Sequence, residues 1–199
     1  MNKKFNVVML DVSGSIYSET LPYLDHIPSL VKYFRNVEQT VGSEDYNFLL
    51  LPSCTGYILG SIHVCLPWQQ LGDVIASFKK SLSNNLNVGA GSDFTKTLKN
   101  LIAMANIEEM EISRVLYITD GYDHFGSKEY YRDEYKYNPE LKIELLLTES
   151  GKNNLGQIKD YDTFLIENIL TEIQVKREKE ILEHSLLVSP NTCSCVYKV

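Results

Sequence analysis

Three short runs, FNVVML at Phe5 to Leu10, RVLYIT at Arg114 to Thr119 and LKIELLLT at Leu141 to Thr148, are apolar at most positions rather than at every second one. A strand with one wet face alternates; a strand covered on both faces does not, and such cover comes from helices packed on a parallel sheet. The intervening segments have the helical period that this arrangement needs. Leu24, Ile27, Leu30, Val31 and Phe34 recur at helix spacing, with Pro22 in a first turn and Pro28 as a kink. Leu71, Val74, Ile75, Phe78 and Leu82 mark a second helix, and Phe94, Leu98, Leu101, Ile102 and Ala105 a third that opens at Ser92. Asp162 or Thr163 caps a long closing helix through Phe164, Ile166, Ile169, Ile173 and Ile181. Asn47 to Pro52 and Gly56 to Val64 read as two strands on a three-residue link, which makes a hairpin and hence one antiparallel edge strand. The expected fold is α/β: a doubly wound, mostly parallel central sheet with one antiparallel edge strand and helices on both faces.

At 199 residues with 44% hydrophobic content, the chain is long enough for one such domain without a disulfide frame. The expected organisation is a single domain over 1–186 and a C-terminal tail over 187–199. The formal net charge of −7, with Lys and Arg spread along the chain, excludes a phosphate-backbone binder, which presents a basic stripe. No apolar run approaches the roughly 20 residues of a membrane helix, so no membrane contact is expected. Lys3 and Lys4 ahead of Phe5 imitate a secretory signal, but the apolar stretch stops at Asp11, and the expectation is a cytoplasmic protein. Cys54, Cys65, Cys193 and Cys195 then read as thiols. His63-x-Cys65 and Cys193-x-Cys195 fall outside the usual C-x2-4-C spacing of structural zinc.

In doubly wound sheets, ligands bind beyond the carboxyl ends of the strands, where the strand order reverses. At those ends stand Asp11-Val12-Ser13-Gly14-Ser15 and Thr119-Asp120-Gly121, with the glycine-rich turn Gly89 to Asp93 before a helix start. Two acids and several hydroxyls are hard oxygen donors, the set Mg²⁺ or Mn²⁺ takes. The same serines and Asp11 also suit helix caps in a metal-free loop.

D-x-S-x-S after one buried strand, a distant glycine-flanked hydroxyl and T-D-G after another resemble the metal-ion-dependent adhesion site of von Willebrand factor A domains, in their intracellular bacterial type. The resemblance implies Ser13, Ser15 and Ser92 as direct ligands of Mg²⁺ or Mn²⁺, and Asp11 and Asp120 as ligands directly or through water. Ser92 stands where the family usually carries Thr, and Asp93 is the alternative oxygen there. The resemblance further implies a non-enzymatic module that captures an Asp or Glu carboxylate of a protein partner. Intracellular members of this kind often act as adaptors beside MoxR-type AAA+ ATPases. Five of the 13 tyrosines fall between Tyr122 and Tyr137. That stretch, with Tyr122, Asp123, His124, Tyr130, Tyr131 and Tyr135, is a candidate partner-binding rim, with packing of an irregular helix as the alternative. The competing class is a Mg²⁺-dependent phosphohydrolase resembling the haloacid dehalogenases, with Asp11 as nucleophile. It requires a general acid two residues on, where this chain has Ser13.

Overall fold

The central strand, β1 (Lys4–Asp11), is buried from Val7 to Leu10 on both faces at once. The computed structural model describes residues 4–14, 17–35, 47–53, 66–67, 71–83, 94–107, 109–123, 125 and 141–187. After β1 come α1 (Tyr17–Thr20), a 3₁₀ turn (Leu21–His26) and α2 (Ile27–Arg35). Then follow β2 (Asn47–Ser53), β3 (Leu66–Pro67), α3 (Leu71–Ser83), α4 (Phe94–Ile107) and β4 (Glu111–Thr119). The chain continues through β5 (Lys142–Leu147), a 3₁₀ turn (Glu149–Asn154), β6 (Asp162–Leu165) and α5 (Ile166–Leu187). The six described strands form one sheet in the order β3-β2-β1-β4-β5-β6, parallel except for β3. The α/β architecture and its antiparallel edge agree with the sequence. That edge is Leu66–Pro67 against Asn47 and Phe48; Gly56 to Val64, expected to supply it, lies outside the described residues.

The strand period of two sorts the core into two layers. Val8, Leu10, Val12, Leu116, Ile118 and Leu146 pack against Leu24, Ile27, Leu30 and Phe34 of the first helical region and against Ile166 and Ile169 of α5. Val7, Met9, Val115, Tyr117, Leu145 and Leu147 pack against Phe94, Leu98, Leu101 and Ile102 of α4. Phe94 stacks on Tyr117 with ring centroids 4.9 Å apart. The charges inside the apolar runs are matched to each other: Arg114 Nε lies 3.5 Å from Glu144 Oε1 across β4 and β5, both side chains buried. Arg114 Nη1 also donates to the carbonyl of Phe34, placing a cation near the last turn of α2.

Three expectations are corrected. Pro28 does not sit inside one continuous α-helix: the 3₁₀ turn ends at His26 and α2 begins at Ile27, which puts the proline in a first turn, where it is tolerated. Asp162, Thr163 and Phe164 do not open the closing helix. They pair in parallel register with Glu144, Leu145 and Leu146 as β6, and α5 starts at Ile166. Four residues are too few for periodicity to separate a strand from a helix turn. Ile181, assigned to the buried face of that helix, is 60% exposed, whereas Ile166 and Ile169 are buried. The tail 188–199 and all four cysteines lie outside the described residues. No helix among the described residues is long and apolar enough to cross a membrane.

Candidate metal centre

The strand order reverses at β1, which has β2 on one side and β4 on the other, so the carboxyl ends of β1 and β4 are neighbours. Asp11 and Asp120 stand there. Asp11 is completely buried, and both its oxygens are held: Oδ1 accepts the Ser13 N–H at 2.9 Å and Oδ2 accepts the Thr119 hydroxyl at 3.0 Å. Its backbone carbonyl accepts the Thr20 hydroxyl at 2.7 Å. Thr119 Oγ1 in turn accepts the Gly121 N–H at 3.1 Å. Asp120, also buried, accepts the Tyr122 N–H on Oδ1 at 2.9 Å. Gly121 has φ of 78°, a conformation glycine adopts freely, and a Cβ there would meet Leu147 and Ile158 side-chain carbons at 3.1 and 3.2 Å.

Burial pushes the Asp11 carboxyl above its usual range. The hydrogen bonds from Ser13 and Thr119 pull it back in part, and the negative charge of Asp120 adds to the rise. Two acids brought together out of water cost free energy that a cation between them would offset. Among the described residues no three His, Cys, Asp or Glu side chains gather as a metal cluster. The described donor set at these strand ends is therefore two carboxylates and hydroxyls, oxygen throughout, and this fits a hard divalent ion.

Of the expected ligands, Asp11, Ser13 and Asp120 converge on this crevice, with Ser13 buried beside Asp11. Ser15 and Ser92 lie outside the described residues, as do His124, Tyr130, Tyr131 and Tyr135 of the expected rim. Tyr122, 66% exposed, directly follows the Thr119-Asp120-Gly121 loop. Asp123 is corrected. Its Oδ2 accepts the backbone N–H of Phe94 at 3.0 Å and the Tyr117 hydroxyl at 2.9 Å, so this carboxylate points inward and caps α4 from a loop 29 residues away. Thr119 and Thr20, which orient Asp11, were not singled out in the sequence; Thr119 had the signal of standing at a strand end inside T-D-G, and Thr20 had none.

No protein-family model and no curated protein matches this sequence. Solved structures do. The pilus adhesin SpaC of Lactobacillus rhamnosus GG, in its open conformation, superposes with a TM-score of 0.53 at 12% identity over 90% of this chain and 30% of the adhesin. A von Willebrand factor type A structure from Catenulispora acidiphila matches at a TM-score of 0.42 and 13% identity, over 74% of this chain and 33% of that one. The chain shares the α/β fold of the matched part of the pilus adhesin. Proximal thread matrix protein 1 of the mussel byssus, described with a zinc-occupied MIDAS motif, matches at 0.42 and 15% identity, over 87% of this chain and 44% of that one. The chain thus spans less than half of each of these proteins, and at such identities the likeness is one of fold. Asp11 and Asp120 stand at the neighbouring carboxyl ends of β1 and β4, the end of a doubly wound sheet at which ligands bind.

Proposed function

We propose that this chain is a non-enzymatic, metal-dependent protein-interaction module. Asp11, Ser13 and Asp120, with Ser15 and Ser92 added by the family resemblance, hold Mg²⁺ or Mn²⁺ and leave one coordination position for an Asp or Glu carboxylate of a partner. The observation that carries the proposal is the pair of buried acids, Asp11 and Asp120, at the reversal of the sheet, with Asp11 raised by burial and by its neighbour's charge. The divalent ion supplies an electrophile for an anionic ligand. The protein's own residues do the rest. Thr119 and the Ser13 amide fix both oxygens of Asp11, Thr20 fixes its backbone, and exposed Tyr122 offers contact area beside the ligand position. Specificity for a particular partner belongs to that rim, and a role as adaptor to a MoxR-type AAA+ ATPase in the cytoplasm is carried over from the family resemblance.

The chain's residues support a binding role over phosphoryl transfer. A nucleophilic Asp11 would need a general acid two residues on, where this chain has Ser13. Calorimetric titration with Mg²⁺ and Mn²⁺ tests the proposal: wild type binds, and Asp11→Ala and Asp120→Ala bind at least tenfold more weakly. Equal affinity in all three proteins would refute it.

A further inference from the structure

The 3₁₀ turn between β5 and β6, Glu149–Asn154, carries no motif in the sequence, yet it touches the backbone of the loop that bears Asp120 and a side chain of α1. Gly151 is buried with its Cα against Asp120: a Cβ on it would lie 2.5 Å from the Asp120 carbonyl oxygen and 2.9 Å from the carbonyl carbon. Only a residue without Cβ lets the turn approach so closely. Asn154 Nδ2 donates to that same carbonyl at 2.9 Å, and its Cβ lies 3.2 Å from where a Gly121 Cβ would stand. The Thr148 N–H donates to Thr119 O at 3.0 Å, and the Gly151 N–H returns to Thr148 O at 3.0 Å. The loop from Thr119 to Gly121 is thereby held along its backbone.

The same turn reaches α1, the helix after the Asp11 loop. Ser150 Oγ donates to Glu19 Oε2 at 2.7 Å and lies 2.9 Å from Thr148 Oγ1. Glu19 precedes Thr20, whose hydroxyl holds the Asp11 carbonyl. None of these contacts uses the side chain of Asp11 or Asp120; the turn acts on the chain that carries them.

The geometry points to Asn154 as a positioning residue for Asp120, within a turn that sets the separation of the two acids through Asn154 and Gly151 on one side and Ser150 with Glu19 on the other. This role rests on the metal-binding proposal above. Residues that orient metal ligands from behind typically account for ten- to a hundredfold in affinity. Asn154 acts through a backbone carbonyl, several covalent bonds from the carboxylate, and the lower end, about tenfold, is expected.

The test uses the full chain and Mn²⁺ followed by electron paramagnetic resonance, in wild type, Asn154→Ala and Gln157→Ala. Gln157 bonds to Asn153 O in the same turn without touching Asp120, so it controls for simple loosening. Asn154→Ala is expected to bind Mn²⁺ about tenfold more weakly and to give an altered spectrum at saturation, while Gln157→Ala keeps wild-type affinity and spectrum. Mn²⁺ affinity within twofold of wild type in Asn154→Ala overturns the inference. So does an equal loss in Gln157→Ala at matched stability in EDTA. Amide exchange in EDTA separates the two claims: faster exchange at Gly121 and Tyr122 in Asn154→Ala supports the clamp on Asp120 even if the wild type takes up no Mn²⁺, a result that would sink the metal-binding proposal alone. Unchanged exchange there overturns the clamp.

Discussion

Replacing Asp123 with alanine removes a carboxylate that joins the start of α4 to the loop after β4. Its Oδ2 serves two donors, the backbone N–H of Phe94 and the hydroxyl of Tyr117. Loss of a helix N-cap costs about 1 kcal/mol. Removing an acceptor from the hydroxyl of Tyr117, which is fully buried, costs roughly 1–2 kcal/mol more, since the contact was charge-assisted. Asp123→Ala is therefore expected to lose about 2–3 kcal/mol, which for a chain of this length lowers Tm by about 4–12 °C. Asp123→Asn keeps a carbonyl oxygen in the same place and should lose less than half of that. Urea denaturation in EDTA excludes any contribution from bound metal, and a double-mutant cycle with Tyr117→Phe isolates the hydroxyl contact, with an expected coupling of about 1 kcal/mol. A loss under about 0.5 kcal/mol, or strict additivity with Tyr117→Phe, would refute the assignment and return Asp123 to the solvated rim.

Gly151→Ala should be among the most damaging small substitutions, at about 3 kcal/mol or more, because its methyl group would collide with the Asp120 carbonyl; a thermal melt within 2 °C of wild type would contradict the close approach. Asp11→Asn should be at least as stable as wild type in EDTA at pH 7, since it removes a buried charge beside Asp120, and the difference should shrink as pH falls, because protonation relieves the wild type in the same way. A metal-free Asp11→Asn that melts well below wild type would show that the charge, rather than its relief, supports the fold. At alkaline pH the sign is set by two tyrosines. Tyr23 is held above the ordinary phenol range by burial and then by its bond to Glu167, and Tyr33 by its bond to Glu172. The folded chain keeps protons that the unfolded chain releases near pH 10, so stability falls as pH rises beyond about 10. The double substitution Tyr23→Phe with Tyr33→Phe should flatten that fall in chemical denaturation curves; an unchanged slope would rule these hydroxyls out.

Much of the architecture was legible because burial on two faces leaves a local mark. Val7 to Leu10 and Val115 to Ile118 are apolar without alternation since each strand lies between helix layers, and the mark of α4 follows from its single buried stripe. The strand-end rule then placed Asp11, Ser13 and Asp120 in one crevice from the chain alone. Other features depended on partners far along the chain, which no local period records. Asp162 to Leu165 became a strand because β5 had an unpaired edge, although the segment looks equally like a helix cap. Asp123 turned inward because Tyr117 and Phe94 stand within reach of it. Thr119 meets Asp11 across 108 residues, Asn154 meets Asp120 across 34 and Ser150 meets Glu19 across 131. The sequence by itself determined which segments must be covered and which acids lie at strand ends, because hydrophobic burial is written residue by residue. Only the tertiary structure decided what orients those acids, because a hydrogen bond depends on distance and direction between groups whose separation along the chain carries no information about either.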